Sequence, residues 1–197
     1  MSNVRIATQR VAITQTALFG DSIGDYFNDT NTVIGFPANL KINARRPIKY
    51  ITVIHGGVID GIDIEYVKND GQTTSVSHGT SSRNFSDLYM KTSTVALGDN
   101  ENIIAVSGLH GPSQWGVRVL QLSFAICDTR TGQMRVAGPF GGGESVSTAT
   151  PQPFRVSANG TFIALGGYAI DTHYSVGQLK AAGENGGLYG LTFFELA

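Results

Sequence analysis

A weak internal repeat constrains the fold of this chain more than any single motif. Residues 57–64, Gly-Val-Ile-Asp-Gly-Ile-Asp-Ile, open a strand-like run after a glycine-rich turn, and residues 187–194, Gly-Leu-Tyr-Gly-Leu-Thr-Phe-Phe, do the same near the C-terminus. Residues 100–106 carry a related pattern, and each copy follows another strand-like stretch. Such self-similarity is typical of repeated units that share a core. Three four-stranded units would form a threefold prism, although apolar strands after turns occur in any β protein.

The remaining pattern is that of an all-β protein. Residues 48–54 are β-branched and aromatic, and residues 62–66 alternate between apolar and polar side chains. The 25 glycines and the low charged fraction of 15% fit many turns between short strands. Only two short stretches, 86–90 and 178–182, suit a helix. We therefore predict sheets that pack their faces on one core.

Composition and spacing argue against several classes of function. The net charge is −1, so nothing favours nucleic acid, and no apolar run approaches the ~20 residues of a membrane span. The four histidines have no metal-ligand spacing, and the glycines at 141–143 lack the lysine of a phosphate loop. We therefore expect no catalysis, no metal and no cofactor. The lone Cys127 and the absence of an apolar signal-peptide core predict a cytoplasmic protein.

Several motifs, in this order, resemble those of the jacalin-related lectin family. The strongest is residues 136–144, Val-Ala-Gly-Pro-Phe-Gly-Gly-Gly-Glu, which follow the apolar run 122–127 and resemble the family's long hairpin with its Gly-Pro-Phe-Gly turn. The resemblance covers about residues 17–196. The other matching segments are two strand openings, a histidine–glycine turn and a reduced N-terminal glycine loop, at residues 59–62 and 101–108, at His78 with Gly79, and at Phe19 to Asp21 with Gly24.

The resemblance implies a β-prism I fold, with three Greek-key four-stranded sheets and pseudo-threefold symmetry. Residues 17–197 would form the lectin domain, and residues 1–16 an N-terminal extension that could add a strand. Residues 30–46 would be a longer connection than the family needs, and residues 172–187 a long loop insertion. The implied function is non-catalytic binding of glycans or glycoproteins. The mannose-type branch is expected because the glycine loop is internal, whereas the galactose-preferring branch uses a free N-terminus.

The family's sugar site combines a glycine, three residues and an aspartate with a second glycine-rich loop. The carboxylate accepts hydrogen bonds from sugar hydroxyls, and such charge-assisted bonds are about twice as strong as neutral ones. At the C-terminal copy Tyr189 stands where the aspartate is expected. The nearest substitute is Asp171, which could face the N-terminal glycine loop with Tyr168 or Tyr174 against the sugar, or could be a turn residue. The candidates for this site are Gly20, Asp21, Gly167, Tyr168, Ala169 and Asp171.

The first repeat keeps the pattern better, since Gly56 is followed by Asp60 directly before the strand. Some mannose-binding relatives carry a second site at this position. The facing loop would come from residues 78–80, although an aspartate here could also cap the turn structurally. The second repeat, with Asp99 near the glycines at 141–143, has no matching spacing, and we expect it to be structural. The candidates for the first-repeat site are Gly57, Val58, Asp60 and Gly79.

Two functions remain open at this point. Either the chain is a lectin, or it is a structural or protein-interaction module that has lost sugar binding, as the substitution at Tyr189 suggests. A lectin requires Asp60 or Asp171 to be exposed beside backbone N–H groups that lack internal partners, whereas the structural alternative requires both aspartates to be satisfied internally. Because a few hydrogen bonds of about 1 kcal/mol give only millimolar affinity for a monosaccharide, a lectin is also expected to form a homo-oligomer, with a dimer favoured.

Overall fold

A computed structural model describes residues 12–36, 41–81, 90–142, 150–171 and 186–197. Within these ranges the chain is built almost entirely of antiparallel strands, with one short helix. The elements are β1 (Ile13–Gln15), β2 (Phe19–Gly20), β3 (Asp25–Asn28), α1 (Asp29–Thr32), β4 (Ile48–His55), β5 (Ile59–Val67), β6 (Thr73–Gly79), β7 (Lys91–Ala96), β8 (Glu101–Ser113), β9 (Gly116–Asp128), β10 (Met134–Phe140), β11 (Gln152–Ser157), β12 (Phe162–Ile170) and β13 (Gly187–Leu196). None of the described helical residues forms a segment long and apolar enough to cross a membrane.

The strands form three separate sheets. Sheet I has the order β6-β5-β4-β7, sheet II the order β10-β9-β8-β11, and sheet III the order β1-β13-β12-β3 with β2 also on β13. β1 and β2 pair with successive parts of β13, Gln15 opposite Phe194 and Phe19 opposite Leu191, so together they fill one strand position. Each sheet therefore has four positions in the Greek-key order. The predicted β-prism of three four-stranded sheets is confirmed.

The inner faces of all three sheets meet in one core. Strand β9 shows why, because Leu122, Phe124 and Ile126 are buried while the residues between them are half-buried. Side chains of this size stabilise the fold by about 1.5–3 kcal/mol each when fully buried. From the other two sheets the core includes Val53, Ile62, Ile64 and Tyr66 in sheet I and Phe162, Leu165, Leu191 and Phe193 in sheet III.

The pseudo-threefold symmetry appears most clearly as one β-bulge in each central hairpin. Ile54 pairs with Gly61 and His55 with Ile59, which leaves Asp60 as the extra residue of β5. The register between β8 and β9 skips Leu120 in the same way, and the register between β12 and β13 skips Tyr189. A bulge inserts an unpaired residue and aims its side chain differently from its neighbours. These three residues therefore occupy equivalent positions.

The second repeat lies elsewhere than the sequence pattern indicated. Residues 101–106 of that pattern belong to β8, which is the counterpart of β4 and β12, whereas the counterpart of β5 and β13 is β9, beginning at Gly116. The pattern was hidden because Arg118 stands among the apolar residues at the start of β9. The prediction of three repeats was right, but its second copy was displaced by one strand.

Three other predicted segments have mixed outcomes. The connection 30–46 contains most of α1, whose N-cap Asn28 accepts a hydrogen bond from the N–H of Thr30. Of the predicted extension, residues 13–15 form β1, and the boundary between extension and domain stays a prediction. The two candidate helices, apart from residue 90, and residues 172–185 of the predicted loop insertion lie outside the described residues.

Candidate functional site

Each sheet places a glycine opposite its bulge, at one end of the prism. All three glycines have positive φ, between 77° and 105°. A Cβ at any of them would lie 2.1 to 2.6 Å from the carbonyl oxygen of the bulge residue, so only glycine fits. The three copies thus share one backbone framework. The glycine and the residue it faces are Gly79 with Asp60 in sheet I, Gly141 with Leu120 in sheet II, and Gly20 with Tyr189 in sheet III.

In sheet I this framework carries a carboxylate. Asp60 is half-buried, and its carbonyl accepts the N–H of Thr80 at 3.0 Å, which fixes the facing strand. The preceding loop is closed by a 3.0 Å bond from the N–H of Gly56 to the carbonyl of Val58. In the part of the chain that the structure describes, the backbone N–H groups of Gly57 and Val58 donate no hydrogen bond. The sequence-predicted residues of the first repeat are therefore brought together.

Two neighbours complete the surroundings of this loop. The side chain of Val58 is buried, so this residue can offer a ligand only its backbone. The ring of Trp115, at the tip of the β8–β9 hairpin, lies 3.3 Å from where a Cβ of Gly57 would stand. Trp115 is partly exposed and gives the loop an aromatic border. An aspartate, open N–H groups and an aromatic edge are the groups that a polyhydroxylated ligand can use.

A buried arginine joins the three repeats at this end of the prism. Arg118 is 2% exposed; its Nε donates to the carbonyl of Trp115 at 3.1 Å, and its Nη1 donates to that of Leu188 at 2.9 Å. Its guanidinium lies 3.4 Å from the centre of the Tyr189 ring. Burial lowers the pKa of Arg118, and the nearby Tyr189 and Asp60 partly offset this shift. Arg118 was not predicted from the sequence, although an arginine within the apolar run of β9 was a usable signal.

In sheet III the equivalent position is filled. Tyr189 is 5% exposed and packs its ring against Arg118, so the bulge residue itself offers neither a carboxylate nor much free surface. The N–H of Asp21 donates to the carbonyl of Tyr189 at 3.0 Å, and Gly20 pairs with Gly190. These contacts hold the N-terminal glycine loop onto β13.

Asp171 does not take the place that the sequence suggested. Its Oδ1 accepts the N–H of Gly79, in sheet I, at 2.7 Å rather than a group of the N-terminal glycine loop. The preceding candidates are strand residues: Gly167 pairs with Leu191, Ala169 is buried, and Tyr168 lies 5.3 Å from Tyr26. Tyr174 lies outside the described residues. Asp171 therefore lies at the boundary between sheets III and I. The sequence could not predict this position, because contacts between sheets are not visible in local sequence.

Metal chemistry finds no support in the described part of the chain. No group of three or more histidine, cysteine, aspartate or glutamate side chains within the described ranges could hold a metal ion. His55 instead accepts the N–H of Gly141 on its Nδ1 at 3.1 Å, and His78 contacts Asp29 at 2.9 Å. These histidines connect neighbouring elements of the prism.

Comparison with known proteins identifies related folds. A family model described as Jacalin-like lectin domain matches residues 16–177. No protein of curated function matches the sequence. Among solved structures, a mannose-specific jacalin-related lectin from Morus nigra in complex with mannose is 19% identical, with 99% of each chain covered and a TM-score of 0.62. A mannose-binding lectin from Champedak is 19% identical (98% and 99% covered, TM-score 0.60), and frutapin from Artocarpus incisa is 18% identical (98% and 99% covered, TM-score 0.62). At these identities the structural likeness shows the fold.

Proposed function

Because this chain belongs to the jacalin-like lectin domain family, we propose that it binds mannose- or glucose-type glycans, without catalysis, through its first repeat. One observation carries the proposal. The half-buried carboxylate of Asp60 lies at the end of a loop whose N–H groups at Gly57 and Val58 have no acceptor in the described ranges. The carboxylate would accept hydrogen bonds from two sugar hydroxyls, and the N–H groups would donate to sugar oxygens.

The sugar class is supported by the chain's relatives and by its own N-terminal loop. Solved neighbours include a mannose-specific lectin with bound mannose and a mannose-binding lectin. In this chain the loop between β2 and β3 is internal and held to β13 through Asp21. A site that depended on a free terminal amine at that loop would not form, which favours the mannose-type branch.

A second function, a structural or protein-interaction module, is supported by the other two repeats. Their bulge positions hold Leu120 and Tyr189, neither of which can accept hydrogen bonds from sugar hydroxyls as a carboxylate does. Two of the three equivalent positions therefore lack the group that the chemistry needs. The first-repeat site decides between the two functions.

With one such site in each chain, useful adhesion would require several chains acting together. A few net hydrogen bonds of about 1 kcal/mol each correspond to roughly millimolar affinity, and linked sites multiply that affinity. We therefore include a homodimer that binds glycoproteins in the proposal. The cytoplasmic location stays a prediction.

The experiment compares the wild type with Asp60→Asn and with Asp99→Asn as a matched control. Asp99 is an exposed aspartate whose carboxylate pairs with Arg46, away from the first-repeat loop. On a glycan array and by calorimetry with methyl α-D-mannoside, we expect binding by the wild type and by Asp99→Asn. Asp60→Asn should lose at least about tenfold in affinity, since one charge-assisted bond is worth about 1.5–3 kcal/mol.

Each alternative has its own outcome in the same experiment. If the folded wild type binds no glycan on the array, the lectin proposal is rejected in favour of the structural module. Equal binding by the wild type and Asp60→Asn, with the thermal midpoint of both recorded, would leave a lectin whose site lies elsewhere.

A further inference from the structure

A groove lies at the corner of the prism where the free edges of sheets III and I approach each other. One wall is the edge strand β3 with the end of α1, and the other is the edge strand β6 at Val76, Ser77 and His78. Its volume is about 510 Å³, within the range of roughly 300–1,000 Å³ usual for small-molecule sites. The groove contains none of the residues 56–60 of the first-repeat loop.

The chemistry of the lining is complementary to that of a neutral, hydroxyl-rich ligand. Asp25, Asn31, Ser77 and Asp171 contribute carboxylate, amide and hydroxyl groups, and the described residues of the lining include no lysine or arginine. Carboxylates accept hydrogen bonds from hydroxyls but repel phosphate, sulfate and acidic sugars. The described lining therefore disfavours an anionic ligand and suits a polyol.

An exposed and well-supported aromatic ring borders the groove. Tyr26 is 52% exposed, unusual for a side chain of this size. The Nδ2 group of Asn28 donates to its hydroxyl oxygen at 3.1 Å, and the ring of Tyr168 lies 5.3 Å away. Within the described ranges no group accepts its hydroxyl hydrogen, which can therefore be donated to a ligand. A tyrosine held this way offers a flat apolar face at little entropic cost, which suits the apolar face of a pyranose.

The upper end of the groove touches the first-repeat site. Asp171, in the lining, accepts the N–H of Gly79, and the next residue, Thr80, donates its N–H to the carbonyl of Asp60. Only a short stretch of backbone therefore separates the two. We propose that the groove is a secondary binding site for the inner residues of a neutral oligosaccharide whose terminal residue occupies the first-repeat site. This inference rests on the proposed function.

Calorimetry with methyl α-D-mannoside and with linear mannopentaose tests the groove. The wild type should bind mannopentaose about tenfold more tightly than the mannoside, since one ring contact is worth about that factor. Tyr26→Ala should reduce mannopentaose affinity to that of the mannoside and leave mannoside affinity unchanged. Tyr26→Phe keeps the ring and should retain most of the gain.

A second variant tests the groove by filling it. Ser77→Trp places a bulky side chain in the lining and should abolish the gain for mannopentaose without affecting the mannoside. Ser75→Trp is the matched control, because Ser75 lies on the same face of β6, two residues away, outside the lining. It should behave like the wild type, and thermal melts of all variants verify the fold.

The outcomes separate this inference from the proposed function. Equal wild-type affinity for mannoside and mannopentaose would reject the groove and leave the first-repeat site standing. Binding of mannopentaose but not of mannoside, lost in Tyr26→Ala, would reject the first-repeat site and overturn the arrangement in which that site holds the terminal residue, leaving the groove to bind sugar on its own. Absence of binding to either sugar would reject both.

Discussion

The first and third repeats share one backbone arrangement at the bulge but carry chemically different side chains there. Both carry a bulge at the same point of the central hairpin, and both place a positive-φ glycine against the bulge carbonyl. In the first repeat the bulge residue is Asp60, half-buried beside open N–H groups, whereas in the third it is Tyr189, 5% exposed against Arg118. The framework is therefore set by glycine and bulge, whereas the chemical character of the surface is set by one side chain. The side chain at this position can differ without loss of the fold.

The third repeat uses its bulge position for internal contacts. A guanidinium over a tyrosine face is worth about 2 kcal/mol when it is desolvated, and Arg118 also satisfies the carbonyls of Leu188 and Trp115. Burial of a charge is costly unless its hydrogen-bonding groups are paired. The filled position therefore stabilises this end of the prism.

The largest expected effect comes from removing that guanidinium. Arg118→Met keeps much of the volume but leaves two carbonyls without a donor and Asp60 without its nearby charge, so we expect a loss of about 3–5 kcal/mol in the free energy of unfolding. Arg135→Met is the control, because Arg135 pairs with Glu101 at the surface and should cost about 1 kcal/mol or less. Urea unfolding of both variants measures the difference. A smaller loss for Arg118→Met than for the control would disprove its role as the link between repeats.

The next effect tests whether the two repeats share one framework. Gly79→Ala and Gly20→Ala each combine positive φ with a carbonyl less than 3 Å from the new Cβ, so we expect a loss of about 1–3 kcal/mol for each. Gly71→Ala is the control, since Gly71 has a φ of 81° with nothing within 4 Å of a Cβ. Its loss of about 1 kcal/mol measures the φ cost alone.

Sugar binding separates the same two variants. Gly79→Ala should weaken mannoside affinity because it displaces the wall of the first-repeat site, whereas Gly20→Ala should leave that affinity unchanged. Denaturant unfolding and calorimetry on the same samples provide both readouts. Equal loss of binding in the two variants would mean that the repeats do not differ in function.

The fold could be read from the sequence because its determinants are local. Alternation along residues such as Leu122, Phe124 and Ile126, together with glycine-containing turns, predicts strands and one shared core. The first-repeat loop was also predicted, since the glycine, the N–H groups and Asp60 lie within five consecutive positions, 56–60. Local spacing was sufficient there.

The remaining parts depend on contacts between sheets. The bond of Asp171 to Gly79 joins sheets III and I, and the contact of Arg118 with Tyr189 joins sheets II and III. In both pairs the two residues are far apart in sequence, so no hydrophobic periodicity or short motif could predict that they meet. The groove beside Tyr26 was missed for the same reason, because its walls meet only when the edges of two sheets approach each other.

A smaller effect isolates the hydroxyl of Tyr189 from its ring. The hydroxyl supports the charge of Arg118 through a hydrogen bond, so Tyr189→Phe should lose about 0.5–1.5 kcal/mol in the free energy of unfolding and keep the ring contact. Mannoside affinity should not change, since the third repeat binds no sugar in this proposal. Urea unfolding and calorimetry measure the two quantities, and a weaker mannoside signal in Tyr189→Phe would contradict the assignment of this repeat to structure.

The smallest effect is a pH dependence at the contact between repeats one and two. Burial lowers the pKa of His55, with Lys91 adding to the shift, and burial also lowers the pKa of His110. The folded state then binds fewer protons than the unfolded chain, so stability is full above pH 6.5 and decreases as the pH falls below it. Protonation of His55 would also remove the acceptor of the Gly141 N–H.

We therefore expect a slightly lower urea midpoint at pH 5.5 than at pH 7.5. Glu65 and Glu101, with pKa values of about 2, stay ionised in the folded state over that interval and do not contribute. His55→Gln keeps an acceptor that does not titrate and should reduce the pH dependence, leaving the part due to His110. If the midpoint of the wild type rises toward pH 5.5, the folded state holds these histidines charged, and the contact between the first two repeats is not the neutral one that the geometry describes.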